Sequence, residues 1–203
     1  NECDFIHALS PVPHQEWERL MIRYEGTIPD GFITVNGNHY VYGERAMQHG
    51  NGNVTRLQLA NKYTPDYYGV LFAIMAYCLY RSSQNDIFAF AAHPPEHVIY
   101  RKNMAEAIKG NWLVDGIDGE KHFTVTAMNT FDEPEGGYYN ALLAADGKHY
   151  QNPRLAQGSV LAIDIGGGTT DFIGFSPNGQ INEAVRVSAA IGINQIIEQL
   201  QVS

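Results

Sequence analysis

Residues Leu161 to Phe175 read LAIDIGGGTTDFIGF, and they are the most informative stretch of the chain. The letters predict a buried strand from Leu161 to Ile165, a turn of three glycines and two threonines, and a second strand from Asp171 to Phe175. Glycines lack a Cβ atom, so their backbone N–H groups can approach a ligand closely and can adopt positive φ at little cost. Successive N–H groups in such a turn form a concavity that binds anions. The stretch therefore predicts a hairpin that holds the phosphates of a nucleotide.

Two carboxylates and two hydroxyls flank the glycines. Asp164 lies at the end of the first strand, Asp171 begins the second, and Thr169 and Thr170 lie between them. A carboxylate beside phosphate-binding amides repels a bare anion but suits Mg²⁺, which prefers one or two carboxylates together with phosphates and water. Asp164 is therefore the expected metal ligand, and the threonines are expected to donate hydroxyl protons. Asp171 has two interpretations, a second contact to the metal or its water, or a cap of its own turn.

The motif differs from two other glycine-rich phosphate loops. A Walker A loop carries a Lys followed by Ser or Thr, and a dinucleotide-binding fingerprint opens a helix rather than a second strand. Neither pattern is present in the sequence. The hairpin therefore indicates a different class of nucleotide-binding protein.

Composition places the chain among globular proteins. With 203 residues, of which 44% are hydrophobic and 17% charged, it is long enough for one large domain or one and a half. Its net charge of −9 and pI near 5.2 argue against direct binding of nucleic acid, which needs clustered Lys and Arg. The longest apolar stretch, Tyr67 to Tyr80, is too short to cross a bilayer, so no membrane association is expected.

Two further features bear on location. The first residues contain acidic side chains and no continuous apolar run, so no secretory signal is predicted. Cys3 and Cys78 lie far apart in sequence, which favours reduced thiols over a disulfide. Both features predict a cytoplasmic protein.

Strand and helix patterns alternate along the rest of the chain. Asn36-Gly37 lies between two β-rich runs and predicts a hairpin with a type I′ turn. Tyr67 to Tyr80 follows a Pro-containing first turn and predicts a buried helix. Asp86 to Ala92 predicts a short, fully buried strand. Farther on, Tyr138 to Ala145 has helical spacing, and an amphipathic helix is predicted after Gly192.

The order of apolar strand, Asp-x-Gly-Gly-Gly-Thr-x-Asp and apolar strand resembles the second phosphate loop of the superfamily of actins, heat-shock chaperones and sugar kinases. FTVTAMNTFDEPEGGYY, Phe123 to Tyr139, followed by this hairpin is similar to the ParM-type bacterial plasmid-segregation actins. FAFAAHPPEHVIYRKNMAEAIKG, Phe88 to Gly110, resembles the strand, Pro-containing loop and helix of the same family. The resemblance implies an actin-like (RNase H-like) α/β fold, in which a mixed five-stranded sheet is flanked by helices.

The resemblance covers most of the chain from about Phe32, and two segments of the family have no match. One is a first phosphate loop of the type D-x-G-x-x-x-x-K, which is not found before Phe32; the other is an adenosine-binding segment, which would lie beyond Ser203. The resemblance therefore implies that residues 1–187 form actin-like domain I without its first phosphate loop. Residues 188–203 are expected to form the first helix of domain II, cut short.

The function implied by the resemblance is that of an ATPase that uses ATP and Mg²⁺. Such a protein self-associates into filaments that segregate plasmid or other DNA, with a DNA-binding adaptor protein as a second partner. ATP hydrolysis would require that the full-length protein supply the two missing motifs. Two alternatives stay open: a non-polymerising small-molecule kinase of the same superfamily, and a nucleotide-free assembly module.

The resemblance also assigns roles within the site, which would act by positioning and electrostatics, as phosphoryl transfer generally does. The phosphates would be held by five turn residues, Gly166, Gly167, Gly168, Thr169 and Thr170. Asp164 would bind Mg²⁺ directly or through water. An acidic residue of the DEPE turn would orient the attacking water: a chaperone-type overlay selects Glu133, and a ParM-type overlay selects Glu135, which we favour here. The alternative for both is a solvated turn carboxylate.

Overall fold

The computed structural model describes residues 8–49, 54–56, 63–79 and 86–201. Cys3, predicted to be a reduced thiol, and Tyr80, the predicted end of a helix, lie outside these ranges. By their contacts the residues form two compact units, the first Asn1–Ala89 with Lys102–Met128 and the second Phe90–Arg101 with Asn129–Ser203. Both strands and helices are present, as expected for an α/β protein.

The first unit contains most of a seven-stranded sheet. Its strands are β1 Ala8–Pro11, β2 Phe32–Val35, β3 Asn38–Tyr42, β4 Thr55–Arg56, β5 Asp86–His93, β6 Gly110–Gly116 and β7 Gly119–Asp132. They are ordered β4-β1-β3-β2-β6-β7-β5, and the last residues of β5 and β7 belong to the second unit. The accompanying helices are α1 His14–Arg23, α2 Gly43–His49, α3 Val70–Leu79 after a π-helical turn Pro65–Gly69, and α4 Arg101–Ile108.

Two local predictions for this unit are confirmed. Asn36 and Gly37 have φ of 48° and 80° and connect β2 to β3, as a type I′ turn requires. Helix α3 is buried, with Ala73 and Ile74 both at 0% exposure. Because α3 is apolar on nearly all sides, it packs as an interior element rather than as a surface helix.

The expectation that β5 is fully buried is wrong. Phe88 and Phe90, two residues apart on one face, are 52% and 66% exposed, whereas Ala89 on the other face is buried. One face of β5 is therefore open to solvent, and because side chains of a strand alternate between faces, Phe88 and Phe90 are exposed together.

The second unit is built on a separate antiparallel sheet. Its strands are β8 Val160–Ile165, β9 Thr170–Phe175 and β10 Ile181–Ala189, in the order β10-β9-β8. Its helices are α5 Glu133–Leu142, α6 Pro153–Gln157 and α7 Ile193–Gln201, together with a 3₁₀ segment Pro95–Tyr100. The core of the unit is formed where α5 packs on β9, with the ring of Tyr138 stacked on that of Phe175 at a centroid distance of 3.9 Å.

Strand β8 is only half buried, which corrects the prediction of a buried strand. Val160 and Ala162 face α5, whereas Leu161, Ile163 and Ile165 are 52%, 52% and 56% exposed. The strand lies at the edge of its sheet, and α5 covers one face of it. Side chains of a strand alternate between faces, so every second residue stays exposed.

Two other expectations differ from the structure. Within the described ranges the strands form a seven-stranded and a three-stranded sheet rather than one of five strands, partly because β1 lies in a Pro-containing segment that resembles a loop. The helix expected at Tyr138–Ala145 begins at Glu133 and ends at Leu142. It begins earlier because Pro134 fits the first turn and Glu135 accepts a hydrogen bond from the amide of Asp132 at 2.9 Å.

Across the described ranges, no helix is both long and apolar enough to span a membrane.

Candidate active site

The hairpin predicted for residues 161–175 is present in the second unit. Strands β8 and β9 pair with Asp164 opposite Asp171, and the turn is closed by a hydrogen bond from Gly166 N to Thr169 O of 2.8 Å. None of the three turn glycines lies in the left-handed region of φ. The turn therefore does not need the positive φ angles that glycine was expected to supply.

Close approach explains one of the three glycines. A Cβ atom on Gly167 would lie 3.1 Å from Asn194 Nδ2, and one on Gly166 would lie 3.4 Å from Thr169 O. A Cβ atom on Gly168 would meet nothing within 4 Å. A distance of 3.4 Å is an ordinary contact, so only Gly167 is required by its neighbours, and the open space at Gly168 leaves room for a ligand.

The start of α7 holds the turn from behind. Ile193 N donates to Gly166 O and Asn194 N donates to Gly167 O, both at 3.0 Å. Gly192 passes so close that a Cβ atom there would lie 2.5 Å from Gly167 O. These bonds use two of the turn's carbonyl groups.

No role was predicted from the sequence for Gly192 or Asn194. The signal that could have identified them is a glycine placed just before an amphipathic helix.

The amides of the turn remain available as donors. Within the described ranges, no acceptor is found for the N–H groups of Gly167, Gly168 and Thr169. Gly167 and Gly168 are exposed. A cluster of backbone N–H groups in one exposed turn can bind an oxyanion.

The hydroxyl groups, in contrast, bond within the protein. Thr170 Oγ1 donates to Ile191 O at 2.6 Å, and Thr169 Oγ1 donates to Asp171 Oδ2 at 3.2 Å. Ser188 Oγ donates to the other oxygen of Asp171, whose side chain is 1% exposed. Of the two interpretations of Asp171, this geometry favours the cap of the turn.

Asp164 and Glu133 line one cavity. A space of about 400 Å³ lies between α5 and β8, bordered by Glu133 and Pro134 on the helix and by Asp164 on the strand. Both carboxylates are half-buried. The structure therefore brings together two of the predicted site residues.

Glu135 has a different environment. It follows Glu133 by two residues in a continuous helix, and such residues point about 200° apart. Its carboxylate accepts the amide hydrogen of Asp132, the N-cap of α5. Glu135 therefore stabilises the beginning of the helix, and it is absent from the lining of the cavity as described.

The donor set can be tested against Mg²⁺. No group of three His, Cys, Asp or Glu side chains suited to enclosing a metal occurs in the part of the chain that the structure describes. Mg²⁺ bound to a nucleotide takes one or two carboxylates, with phosphates and water as its other ligands. Asp164 on the cavity fits that requirement, whereas the oxygens of Asp171 are occupied by two hydroxyls.

A buried ionic group, which the sequence reasoning did not identify, lies at the start of α5. Asp132 has no exposed surface, and its carboxylate accepts hydrogen bonds from Arg186 Nε at 2.6 Å and from Arg186 Nη2 at 3.0 Å. Arg101 Nη2 lies 3.6 Å from the same carboxylate. The hydrogen bonds to Asp132 raise the pKa of Arg186 above its usual value.

His93 completes this group as a neutral ring. Its Nε2 accepts a hydrogen bond from Arg101 Nε at 2.8 Å, so the proton is on Nδ1, which lies 2.8 Å from Pro94 O and 3.3 Å from Asp132 Oδ1. Burial lowers the pKa of His93. The signals available in the sequence were an Asp directly before Glu-Pro-Glu, which suits an N-cap, and a single Arg within strand β10.

No family model and no curated protein sequence matches the chain. Solved structures do match it. Ta0583, an archaeal actin homologue, has a TM-score of 0.68 and 19% identity over 97% of this chain and 58% of its own. The chain has an actin-like fold.

Two more solved structures support this result. The pSK41 ParM protein has a TM-score of 0.67 and 13% identity over 100% of this chain and 66% of its own. The actin-like protein Alp7A has a TM-score of 0.66 and 14% identity over 98% of this chain and 58% of its own. The actin-like chain therefore spans about three fifths of the length of these neighbours. Related structures include Ta0583 with ADP, Bacillus thuringiensis ParM with AMPPNP and an Alp12 filament.

Proposed function

We propose that the chain is part of an actin-like protein that binds and hydrolyses ATP and assembles into filaments. The observation that carries the proposal is the cavity lined by Glu133 and Asp164, in the unit that contains the turn with its exposed amides. Neighbours of the same fold have been solved with ADP, with AMPPNP and as a filament, which supports both parts of the proposal.

The amides of Gly167, Gly168 and Thr169 would bind the phosphate oxygens. Asp164 would hold Mg²⁺, directly or through water, and the ion would offset the charge that develops on the phosphates. Glu133 would orient the attacking water, because its carboxylate lies on the cavity with Asp164. Glu135 would keep the first turn of α5 in place through its bond to the helix N-cap.

The remaining proposals concern the whole protein. Residues 1–187 would be domain I of the actin-like protein, and residues 188–203 would begin domain II. The full-length protein would act in the cytoplasm to segregate plasmid or other DNA. It would contact DNA through an adaptor protein, since the net charge of −9 does not favour direct binding.

The test uses the full-length protein with Mg²⁺ and ATP, ADP or no nucleotide. We expect ATP to be hydrolysed and to cause sedimentation on ultracentrifugation, with less sedimentation in ADP. Phosphate transfer to a small molecule without sedimentation would instead identify a kinase. Sedimentation that is equal with and without nucleotide, combined with no ATP binding in equilibrium dialysis, would identify a nucleotide-free assembly module. Either of these two outcomes contradicts the proposal.

A further inference from the structure

Arg186 connects the start of α5, which carries Glu133, with the strands beside the glycine turn. It lies on β10, which pairs with β9, the strand that follows the phosphate turn, and its guanidinium bonds both oxygens of Asp132 at the start of α5. Although 54 residues separate Arg186 from Asp132 in sequence, the side chain of Arg186 is only 17% exposed. The pair is therefore a fixed internal contact rather than a surface ion pair.

The position of Arg186 on β10 depends on an irregularity in the strand. Between Asn182 and Arg186 the register with β9 shifts, and after the shift Arg186 pairs with Ile173. A bulge of this kind bends the strand and redirects a side chain. We infer that the bulge aims the guanidinium at Asp132.

A continuous series of contacts results. The hydroxyl of Ser188, two residues after Arg186, bonds the buried carboxylate of Asp171. Asp171 in turn accepts the hydroxyl of Thr169 in the phosphate turn. At the other end of the series, Asp132 directly precedes Glu133.

We propose that Arg186 is a positioning residue for ATP hydrolysis, which acts through Asp132 to fix Glu133 relative to the phosphate turn. The proposal rests on the proposed function, because it takes Glu133 as the residue that orients water. An arginine suits the role because its planar fork bonds both oxygens of a carboxylate and so fixes its orientation, which a lysine cannot do.

The charge of Asp132 does not depend on Arg186 alone. Arg101 lies 3.6 Å from the carboxylate, and Nδ1 of His93 lies at 3.3 Å. Removing the guanidinium therefore leaves cationic and polar partners near Asp132 but abolishes the two-point contact that sets its orientation. The effect on hydrolysis is expected to exceed the effect on ATP binding, because the donors of the phosphate turn are backbone amides.

The first test measures single-turnover ATP hydrolysis and ATP affinity in the full-length protein. Arg186→Met should slow hydrolysis by about 10-fold to 100-fold, the scale of a misplaced catalytic group, and change the Kd for ATP by less than about 2-fold. Arg186→Lys keeps the positive charge, so it should fold even if Arg186→Met does not, and its rate of hydrolysis should decrease less. Arg154→Met, on the exposed side of α6, is the control and should leave both values unchanged.

A double substitution separates positioning from a general structural role. If Arg186 acts through Glu133, adding Arg186→Met to Glu133→Gln should slow hydrolysis by less than about 2-fold further. An equal loss in both backgrounds would overturn the proposal, and so would a loss of ATP affinity that accounts for the slower rate.

Hydrogen exchange tests the same link without hydrolysis. In Arg186→Met, the hydrogen-bonded amide of Asp132 at the start of α5 and that of Gly166 in the turn should both exchange faster than in the Arg154→Met control. If the wild-type protein hydrolyses no ATP, the proposed function fails while this measurement still applies. Faster exchange at only one of the two amides, or at neither, would refute the connection between them.

Discussion

Replacing Glu133 and Glu135 with Gln in separate variants distinguishes the residue that orients water from the one that stabilises the helix. Each substitution removes one charge and almost no volume. The structure assigns Glu133 to the cavity with Asp164, and it assigns Glu135 to the amide of the helix N-cap at 2.9 Å. The two variants should therefore fail in different ways.

The expected magnitudes follow from these contacts. Glu133→Gln should slow hydrolysis by about 10²–10⁴-fold, which is about 3–5 kcal/mol in the activation free energy. Glu135→Gln keeps an oxygen that can accept the N-cap amide, so its free energy of unfolding should fall by less than about 1 kcal/mol. Glu135→Ala loses that contact and should cost about 1 kcal/mol in unfolding free energy, with less than about tenfold loss of hydrolysis.

The assay combines steady-state ATP hydrolysis, ATP affinity and urea unfolding of the full-length protein. Filaments of Glu133→Gln should persist longer after assembly, since bound ATP is not converted to ADP. Wild-type hydrolysis in Glu133→Gln, with the large loss in Glu135→Ala and unchanged stability, would refute the reasoning and restore the ParM-type overlay that selects Glu135.

Three further predictions follow from the site and its supports. Asp164→Ala should abolish hydrolysis while urea unfolding stays near wild type, since this half-buried residue lies on the cavity; wild-type hydrolysis would exclude it as the metal ligand. Gly168→Ala should weaken ATP binding and leave thermal stability unchanged. Gly192→Ala should lower the free energy of unfolding by about 1–3 kcal/mol, because its Cβ would lie 2.5 Å from a backbone oxygen. A loss of stability in Gly168→Ala with none in Gly192→Ala would refute these assignments. Because burial lowers the pKa of His93, the protein should be most stable above pH 6.5, the ordinary pKa of histidine, and should lose stability as the pH falls below that value. Thermal unfolding at several pH values should show a weaker pH dependence in His93→Gln. The control His122→Gln, at an exposed residue, should keep the wild-type dependence.

The hairpins could be predicted because their signals are local. Asn36-Gly37 selects its turn type through the conformations of two residues, and the spacing of Asp164, the glycines and Asp171 is contained in eight consecutive residues. No distant contact is needed to interpret either pattern. For the same reason the sequence predicted the phosphate turn but not the identity of the residues that pack behind it.

The choice between Glu133 and Glu135 could not be settled from the sequence, because it depends on where α5 begins. If the turn were extended, both side chains would share one side; since the helix begins at Glu133, they diverge. The contact of Asp132 with Arg186 was also unpredictable, because 54 residues separate them and a strand bulge sets the direction of the guanidinium. Which face of a strand is covered likewise depends on the elements that pack on it, so the exposed side chains of β5 and β8 could not be predicted.

The conformation of the turn from Gly166 to Thr170 is held by hydrogen bonds from neighbouring residues rather than by special backbone angles of its glycines. The turn glycines avoid the left-handed region, and their carbonyl groups are held by the first amides of α7. Beneath the turn, the buried carboxylate of Asp171 holds two hydroxyls, and the strand that carries one of them also carries Arg186. A site held in this way presents its amides in a fixed arrangement before any ligand binds, so less order has to be gained on binding. Loss of the groups that bond the turn directly, unlike loss of Arg186, should therefore weaken ATP binding even where those groups touch neither the cavity nor the ligand.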